Sequence, residues 1–306
     1  MAAGTIKQKT LKTEIGCTGV ALHSGRKTTL TLKPAAENTG IRICRTDLVN
    51  GAREIGVNWD NVVDTRLATT VGNDHGSTVS TVEHLAAALA GCEIDNVLID
   101  VDGPEIPIMD GSSAPFVFLI ECAGTVEQNA ARTAIKILKP VTVGDDTRSL
   151  TIRPAEEFSL AFEIDFDSSA IDRQERIFQR VGADFKSDIS RARTFGFDHE
   201  VEALRNAGLA RGGSLENAVV VSGDKILNEG GLRFDDEFVR HKILDCIGDL
   251  YLAGGPVIGE VIASKSGHEL NNELLRAVFA DEDAWVRIDA PHAAGQEALQ
   301  MVSAVA

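Results

Sequence analysis

A histidine and two aspartates recur at one-turn spacing within a single predicted helix. The stretch reads EFVRHKILDCIGD, and His241, Asp245 and Asp249 follow one another at every fourth position. Residues four apart lie on the same face of an α-helix. A histidine and a carboxylate at this spacing can hold one metal ion from the same side, although surface ion pairs show the same spacing. A metal site therefore requires a further ligand elsewhere in the chain.

A second pair of residues that could do chemistry is Glu83-His84, in the stretch STVEHLAAALAG. His84, His241 and Asp245 together would leave one coordination position open, which is the arrangement of catalytic zinc sites. Glu83 would then stand beside the metal, where a general base is needed. The alternative is that Glu83 forms a capping box with Ser80 at the start of a helix over residues 80–91, and that His84 is only a buried histidine.

A third histidine, His268, lies in SKSGHEL, where a predicted strand leads into a loop. If Asp249 reaches this histidine, its carboxylate would keep the imidazole protonated and oriented. A cationic histidine across from a general base can stabilise an oxyanion or protonate a leaving amine. The hydroxyl of Thr194, in ARTFGF, could bind the same oxyanion. The alternatives are a surface-loop histidine and ordinary turn bonding by the threonine.

Composition and motifs exclude several other classes. The 306 residues carry a formal charge of −16 and are only 5% aromatic, which opposes a nucleic-acid partner. The five cysteines include no C-x-x-C pair, as expected for reduced thiols, and no segment is apolar enough for a signal peptide or a membrane helix. The patterns H-E-x-x-H, H-x-D, G-x-S-x-G and the P-loop do not occur. The sequence predicts a cytoplasmic protein without stable membrane insertion.

The elements that carry these residues occur in two similar halves. In each half a block of predicted strands precedes a helix near whose start a histidine stands, His84 or His241, and a buried strand follows. The polar stretch over residues 125–133 is the predicted linker, which gives an N-terminal domain, 1–127, and a C-terminal domain, 128–306. Two such domains facing each other would bring both helix starts to one cleft.

Six stretches, in this order, carry a resemblance to a known family: TGVALHSG, STVEHLAAALAG, GPEIPIMDG, ISRARTFGF, LRFDDEFVRHKILDCIGDLYLAG and SKSGHELNN. Through them the chain resembles the UDP-3-O-acyl-N-acetylglucosamine deacetylases of lipid A biosynthesis in Gram-negative bacteria, as far as about Trp285. The resemblance implies an α+β fold of two similar domains. Each domain would be a β-sheet packed on helices and would carry a small insert, and the helices would be sandwiched between the two sheets.

The same resemblance implies a role for each candidate residue. Three are implied as ligands of one zinc ion per chain, with ferrous iron as the alternative: His84, His241 and Asp245. Four are implied as catalytic, namely the base Glu83, the cationic His268, its carboxylate partner Asp249 and the oxyanion-binding Thr194. Five are implied as contacts of the nucleotide sugar or its acyl chain: Lys242, Lys265, His23, Phe195 and Phe166.

The implied enzyme is a monomeric, zinc-dependent hydrolase of a linear amide. It would remove the N-acetyl group of UDP-3-O-(3-hydroxyacyl)-N-acetylglucosamine, releasing acetate and the free amine, as the committed step of lipid A biosynthesis. The insert at about 197–230 would form the acyl passage, and we expect Val219, Val221 and Ile226 to line it. Two alternatives stay open: a metal-dependent amidohydrolase of another acylated amino sugar, and a non-catalytic nucleotide-sugar-binding protein of the same fold.

Overall fold

The computed structural model describes residues 6–290. Within this range the strands are β1 Lys7–Leu11, β2 Ile15–Val20, β3 Lys27–Pro34, β4 Ile41–Arg45, β5 Glu54–Gly56, β6 Val62–Asp64, β7 Thr70–Gly72, β8 Thr78–Val79, β9 Val97–Val101, β10 Thr125–Ala131, β11 Thr133–Ile137, β12 Val141–Gly144, β13 Ser149–Arg153, β14 Ser159–Asp165, β15 Arg173–Gln179, β16 Phe195–Phe197, β17 Val219–Ser222, β18 Lys225–Ile226, β19 Val257–Ile258, β20 Glu260–Ser264 and β21 Trp285–Asp289. The helices are α1 Glu83–Gly91, α2 Ala114–Ala123, α3 Val181–Asp188, α4 Asp198–Asn206, α5 Glu237–Tyr251 and α6 His268–Ala280.

Two five-stranded sheets of identical topology organise the fold. Their strand orders are β2-β3-β9-β4-β5 and β12-β13-β20-β14-β15, so in each sheet the last strand in sequence lies between the second and the third. That last strand is antiparallel to the second strand and parallel to the third in both sheets. It follows α1 in the first sheet and α5 in the second. The predicted α+β fold with an internal repeat is confirmed.

Helices α1 and α5 pack directly on each other at the centre of the molecule. Every residue of α1 is buried, and so are all but two residues of α5, Arg240 and Lys242. A helix that is buried on all sides belongs to the interior and does not lie on the surface. Helix α5 also contacts β14 and β15 of the second sheet. The polar stripe of α5 that the sequence predicts therefore faces α1 and α6 in the interior.

The close approach of the two central helices depends on Gly248. A Cβ atom at this position would lie 2.1 Å from the carbonyl oxygen of Glu83 and 3.1 Å from the backbone nitrogen of Ala87. Since both neighbours are backbone atoms, the helices would have to separate to admit a side chain. Gly248 therefore brings the start of α1 within reach of the polar stripe of α5.

We expect Gly248→Ala to lower the melting temperature because overpacking in a close-packed interior costs about 1–3 kcal/mol. Differential scanning calorimetry of the purified variant measures the effect. The matched control is Gly230→Ala, because a Cβ atom at Gly230 would meet nothing within 4 Å. An equal melting temperature for the two variants would contradict the assigned packing.

The stretch predicted as a linker is a strand. Residues 125–131 form β10, which pairs antiparallel with β1, from the beginning of the described chain. Arg132 then bonds to Asp95 through Nε at 2.8 Å and to Glu93 through Nη1 at 3.1 Å. The linker prediction is wrong because it rests on polarity, and polarity does not show that the backbone bonds to a distant strand. The division near residue 127 stays a proposal, and both outer limits, 1 and 306, lie outside the described residues.

Candidate functional site

Three buried side chains converge where α1 meets α5. Nε2 of His84 lies 3.5 Å from Oδ1 of Asp245, and Nε2 of His241 lies 3.4 Å from the same oxygen. One ligand atom from each of the three residues lies within 4.8 Å of the other two. These spacings are longer than strong hydrogen bonds. They are compatible with three ligands that surround a common point.

The donor set fits a divalent metal ion. Oδ1 of Asp245 is buried and has no hydrogen-bond partner within residues 6–290, whereas Oδ2 accepts a bond of 2.9 Å from Lys242. Nδ1 of His241 lies 3.1 Å from the carbonyl oxygen of Ala192, so it carries the proton and leaves the Nε2 lone pair free. A buried, unpaired carboxylate oxygen is costly unless it binds a cation. Two imidazole nitrogens and one carboxylate oxygen are typical ligands of catalytic zinc.

The protonation states of these residues also suit a metal. Burial lowers the pKa of His241 to about 4, so its imidazole is neutral at pH 7. Burial alone would raise the pKa of Asp245, but His241 and the Lys242 ammonium hold it well below its usual range. A neutral imidazole and an ionised carboxylate are the forms that bind metal.

Glu83 does not take part in a capping box. Helix α1 begins at Glu83, and the Ser80 hydroxyl instead accepts a bond of 2.9 Å from Thr70. Thr81, with a φ of 59°, turns the chain before the helix, so the predicted start at Ser80 is wrong. Glu83 is 2% exposed, and its carboxylate accepts the backbone N–H of Thr69 through Oε2 at 3.0 Å. Its orientation is thus unrelated to helix capping, and that alternative is wrong.

His268 lies between two carboxylates. Its Nδ1 is 2.8 Å from Oδ2 of Asp249, and its Nε2 is 4.0 Å from Oε1 of Glu83. Burial acts to lower the pKa of His268, but Asp249 and Glu83 raise it to about 9, so the imidazole is protonated at pH 7. Burial also raises the pKa of Glu83. His268 is the first residue of α6 and its side chain is only 10% exposed, so the surface-loop interpretation is wrong.

Two further residues contact this group, and the sequence analysis missed both. The Thr69 hydroxyl donates to Oδ1 of Asp249 at 2.5 Å, and the side chain of Asn271 donates to Oδ2 at 2.8 Å. Asn271 stands three residues after His268 on α6, so helical spacing could have identified it. Thr69 precedes β7, and nothing in its local sequence indicates a contact with α5.

The predicted oxyanion residue, Thr194, lies in the loop that leads into β16. Its N–H donates to the carbonyl of Gly111 at 2.8 Å, and its own carbonyl accepts the N–H of Val219 at 2.8 Å. Two residues earlier stands Ala192, whose carbonyl oxygen holds His241. The half-buried Thr194 thus lies in the same loop as the carbonyl oxygen that bonds to His241.

His23 lies in a turn that touches the second half of the chain. Both of its ring nitrogens are buried, and neither has a partner within the described part of the chain. The backbone N–H of His23 donates to Oε1 of Glu105 at 2.7 Å, and its backbone carbonyl accepts the backbone N–H of Arg211 at 3.2 Å. Arg211 belongs to the predicted insert, so the insert reaches across to the first half.

The two lysines predicted to bind the nucleotide occupy different surroundings. Lys242 is bonded to Asp245 within the cluster at 2.9 Å, and its side chain is only 16% exposed. Lys265 pairs with Asp165 at 2.6 Å, and its side chain is 41% exposed. Lys265 is therefore the more accessible of the two to a charged ligand.

The two predicted phenylalanines lie together beside the cluster. The rings of Phe166 and Phe195 meet edge to face with centroids 5.5 Å apart, and Phe195 lies 6.3 Å from the ring of His241. Val219 and Val221, which we expected to line an acyl passage, are fully buried and cannot do so.

Within the described residues, no helix is long and apolar enough to cross a membrane.

The comparisons with known proteins all match this chain to proteins of one description. A family model described as UDP-3-O-acyl N-acetylglycosamine deacetylase matches residues 8–280. A protein of Aliivibrio fischeri named UDP-3-O-acyl-N-acetylglucosamine deacetylase is 54% identical over 282 residues, which cover 92% of each chain. A protein of the same name from Acidithiobacillus ferrooxidans is 52% identical over 286 residues, which cover 93% of each chain. Another, from Vibrio parahaemolyticus, is 53% identical over 282 residues, which cover 92% of each chain.

Proposed function

The chain belongs to the UDP-3-O-acyl N-acetylglycosamine deacetylase family, and on this premise we propose that it hydrolyses the N-acetyl group of UDP-3-O-(3-hydroxyacyl)-N-acetylglucosamine. The products are acetate and the free amine, and the reaction is the committed step of lipid A biosynthesis. One observation carries the proposal: the pair Glu83 and His268, 4.0 Å apart, lies beside a buried two-histidine, one-carboxylate cluster. A protein that only binds a nucleotide sugar has no need of this acid–base pair.

We assign His84, His241 and Asp245 as the ligands of one divalent metal ion per chain. Their donor types favour zinc, with ferrous iron as the alternative. When bound, the ion supplies Lewis-acid chemistry to the attacking water and to the amide carbonyl. Because all three ligands and the acid–base pair come from one chain, we propose that a monomer is the active form. We place this monomer in the cytoplasm.

The chain's own residues would move the protons. Glu83 takes a proton from the attacking water, and burial favours this role by raising the pKa of its carboxyl. His268, kept protonated by Asp249, stabilises the oxyanion that develops on the amide carbonyl and can protonate the departing nitrogen. The Thr194 hydroxyl supplies a second donor to the oxyanion.

The remaining candidates would hold the substrate. Lys265 would contact the nucleotide phosphates, and Lys242 would contribute positive charge from within the cluster. The ring of His23, whose nitrogens have no partner within residues 6–290, would bond to the nucleotide as a neutral imidazole, because burial lowers its pKa. Phe195 and Phe166 would contact the sugar or the acyl chain. The net charge of −16 does not exclude this binding, because a general negative charge still permits local cationic contacts, which Lys242 and Lys265 would supply.

The acyl chain would follow the apolar surface of the insert. Leu215 and Leu227 in the insert are 47% and 43% exposed, and Val20 of β2 is 43% exposed. Gly212 of the insert approaches Val20, since a Cβ atom there would meet Val20 Cγ1 at 2.7 Å. We propose that these apolar side chains replace the buried valines as the lining of the passage.

Removing the acyl chain from the substrate should reduce kcat/KM by orders of magnitude, because each buried methylene contributes about 0.8 kcal/mol. Steady-state kinetics with UDP-3-O-acyl-N-acetylglucosamine and with UDP-N-acetylglucosamine measure the difference. Leu227→Ser should raise KM for the acylated substrate, whereas Leu138→Ser, at an exposed leucine outside the insert, should not. Equal activity on both substrates would exclude the passage and favour an amidohydrolase of a smaller sugar.

The kcat of the wild type should fall with rising pH as His268 loses its proton. Asp249→Asn removes the carboxylate that raises the pKa of His268, so the basic limb of the profile should shift to lower pH. A metal ion would also repel the imidazolium, so the test is the direction of the shift between the two proteins. Rate profiles from pH 6 to pH 10 provide the measurement. An unmoved basic limb would mean that the limb reports another group.

The proposed function is tested by following both products at once. Purified protein is incubated with UDP-3-O-acyl-N-acetylglucosamine, and acetate and free amine are quantified together. We expect equal amounts of the two. Substrate binding without acetate release would instead support the non-catalytic alternative.

A further inference from the structure

Thr69 donates a hydrogen bond to each of the two carboxylates that flank His268. Its N–H donates to Oε2 of Glu83 at 3.0 Å, and its hydroxyl donates to Oδ1 of Asp249 at 2.5 Å. Thr69 is 2% exposed. One residue therefore ties a side chain of α1 to a side chain of α5 at the position where both face His268.

The two oxygens of the Asp249 carboxylate accept hydrogen bonds from different donors, and Thr69 is the donor to Oδ1. Oδ2 of Asp249 is shared by His268 Nδ1 and the Asn271 amide, each at 2.8 Å. Oδ1 is bonded by Thr69 on the other side. A buried carboxylate oxygen without a hydrogen-bond donor is unfavourable. Loss of this hydroxyl would therefore cause the Asp249 carboxylate to rotate toward a different donor. Because His268 is held by the same carboxylate, its direction would change as well.

The bond to Glu83 distinguishes the two oxygens of the base. Oε2 is bonded to the N–H of Thr69, whereas Oε1 is the oxygen that faces Nε2 of His268 at 4.0 Å. A substrate that contacts both the base and the imidazole would meet Oε1. The bond to Oε2 fixes the rotation of the Glu83 carboxylate, and Oε1 remains available for proton transfer.

We propose that Thr69 is a positioning residue of the deacetylation. Its hydroxyl orients the Asp249–His268 pair, and its N–H makes Oε1 the proton-accepting oxygen of Glu83. This inference rests on the proposed function. It also differs from a purely structural role for a buried threonine, because it requires that the effect of the Thr69 hydroxyl pass through His268.

The first experiment compares the same substitution at two adjacent threonines. Thr69→Val keeps the shape of the side chain and the N–H but removes the donor to Asp249. Thr70→Val is the matched control, because the Thr70 hydroxyl bonds to Ser80 and not to the catalytic group. A lost bond to a charged group predicts that Thr69→Val lowers kcat about 10-fold to 100-fold, with KM, metal content and melting temperature close to those of Thr70→Val. Thr69→Ser, which restores the hydroxyl, should recover most of the kcat.

The second experiment repeats Thr69→Val in a His268→Ala background. Residues that act as a unit have non-additive effects, so the substitution should cause no further loss once His268 is absent. A merely structural role would instead multiply the two losses. Thr69→Ala removes the same hydroxyl and takes the place of Thr69→Val if the valine variant does not fold.

The outcomes separate this inference from the proposed function. Wild-type acetate release with equal kcat for Thr69→Val and Thr70→Val would overturn the role of Thr69 alone. So would an unchanged fold-loss in the His268→Ala background. No acetate release by the metal-loaded wild type would overturn both the proposed function and the inference.

Discussion

Glu83→Gln should lower kcat by about 10²–10⁴, the usual contribution of a general base. The glutamine keeps the size of the side chain and can still accept the N–H of Thr69, so the start of α1 should not move. It cannot take a proton from water at neutral pH. A loss confined to kcat, with metal bound and KM little changed, is therefore the expected signature of a missing base.

Three measurements on this variant separate catalysis from structure: turnover, metal content and melting temperature. The matched control is Glu269→Gln, because Glu269 directly follows His268 but points outward to Arg148 and is about half exposed. We expect the control to retain wild-type turnover. Turnover near the wild-type value in Glu83→Gln, with metal bound, would show that another group is the base.

His241→Ala should reduce the metal content from about one ion per chain to a small fraction of that value, and activity should fall with it. With three protein ligands, loss of one leaves a histidine and a carboxylate, which hold zinc weakly. The alanine also releases the carbonyl of Ala192, which fixes the tautomer of His241. Elemental analysis of the purified variant after dialysis against metal-free buffer measures the content.

His75→Ala is the control for this measurement, since His75 is exposed in the turn before β8 and lies outside the insert. It should keep both metal and turnover. Full occupancy in His241→Ala would exclude His241 as a ligand and would require another set of donors.

The sequence was sufficient to predict the parts of the site that depend on local spacing. His241, Asp245 and Asp249 share a helix face at every fourth residue of α5. The contact of Asp249 with His268, which the sequence left conditional, is present at 2.8 Å. The internal repeat likewise appears as two sheets with the same strand order. These features were accessible because helical and strand periodicity are properties of short segments.

Contacts between distant segments were not accessible in the same way. The start of α1 was placed at Ser80 because its capping-box pattern is common, whereas the left-handed Thr81 and the bond from Thr69 to Glu83 depend on tertiary packing. The polar strand β10 resembled a linker for the same reason, since its partner β1 lies far away in the sequence. The buried valines of β17 alternate as a groove lining would, but both face the interior.

The most direct test of the account is acetate release from UDP-3-O-acyl-N-acetylglucosamine by the purified protein before chelation, after chelation and after return of one equivalent of zinc. We expect acetate and free amine in equal amounts from the untreated protein, loss of release in parallel with metal content, and recovery on adding zinc. Unchanged acetate release from protein shown by elemental analysis to be metal-free would contradict the metal-dependent mechanism. No release from the zinc-loaded protein would contradict the proposed deacetylation itself.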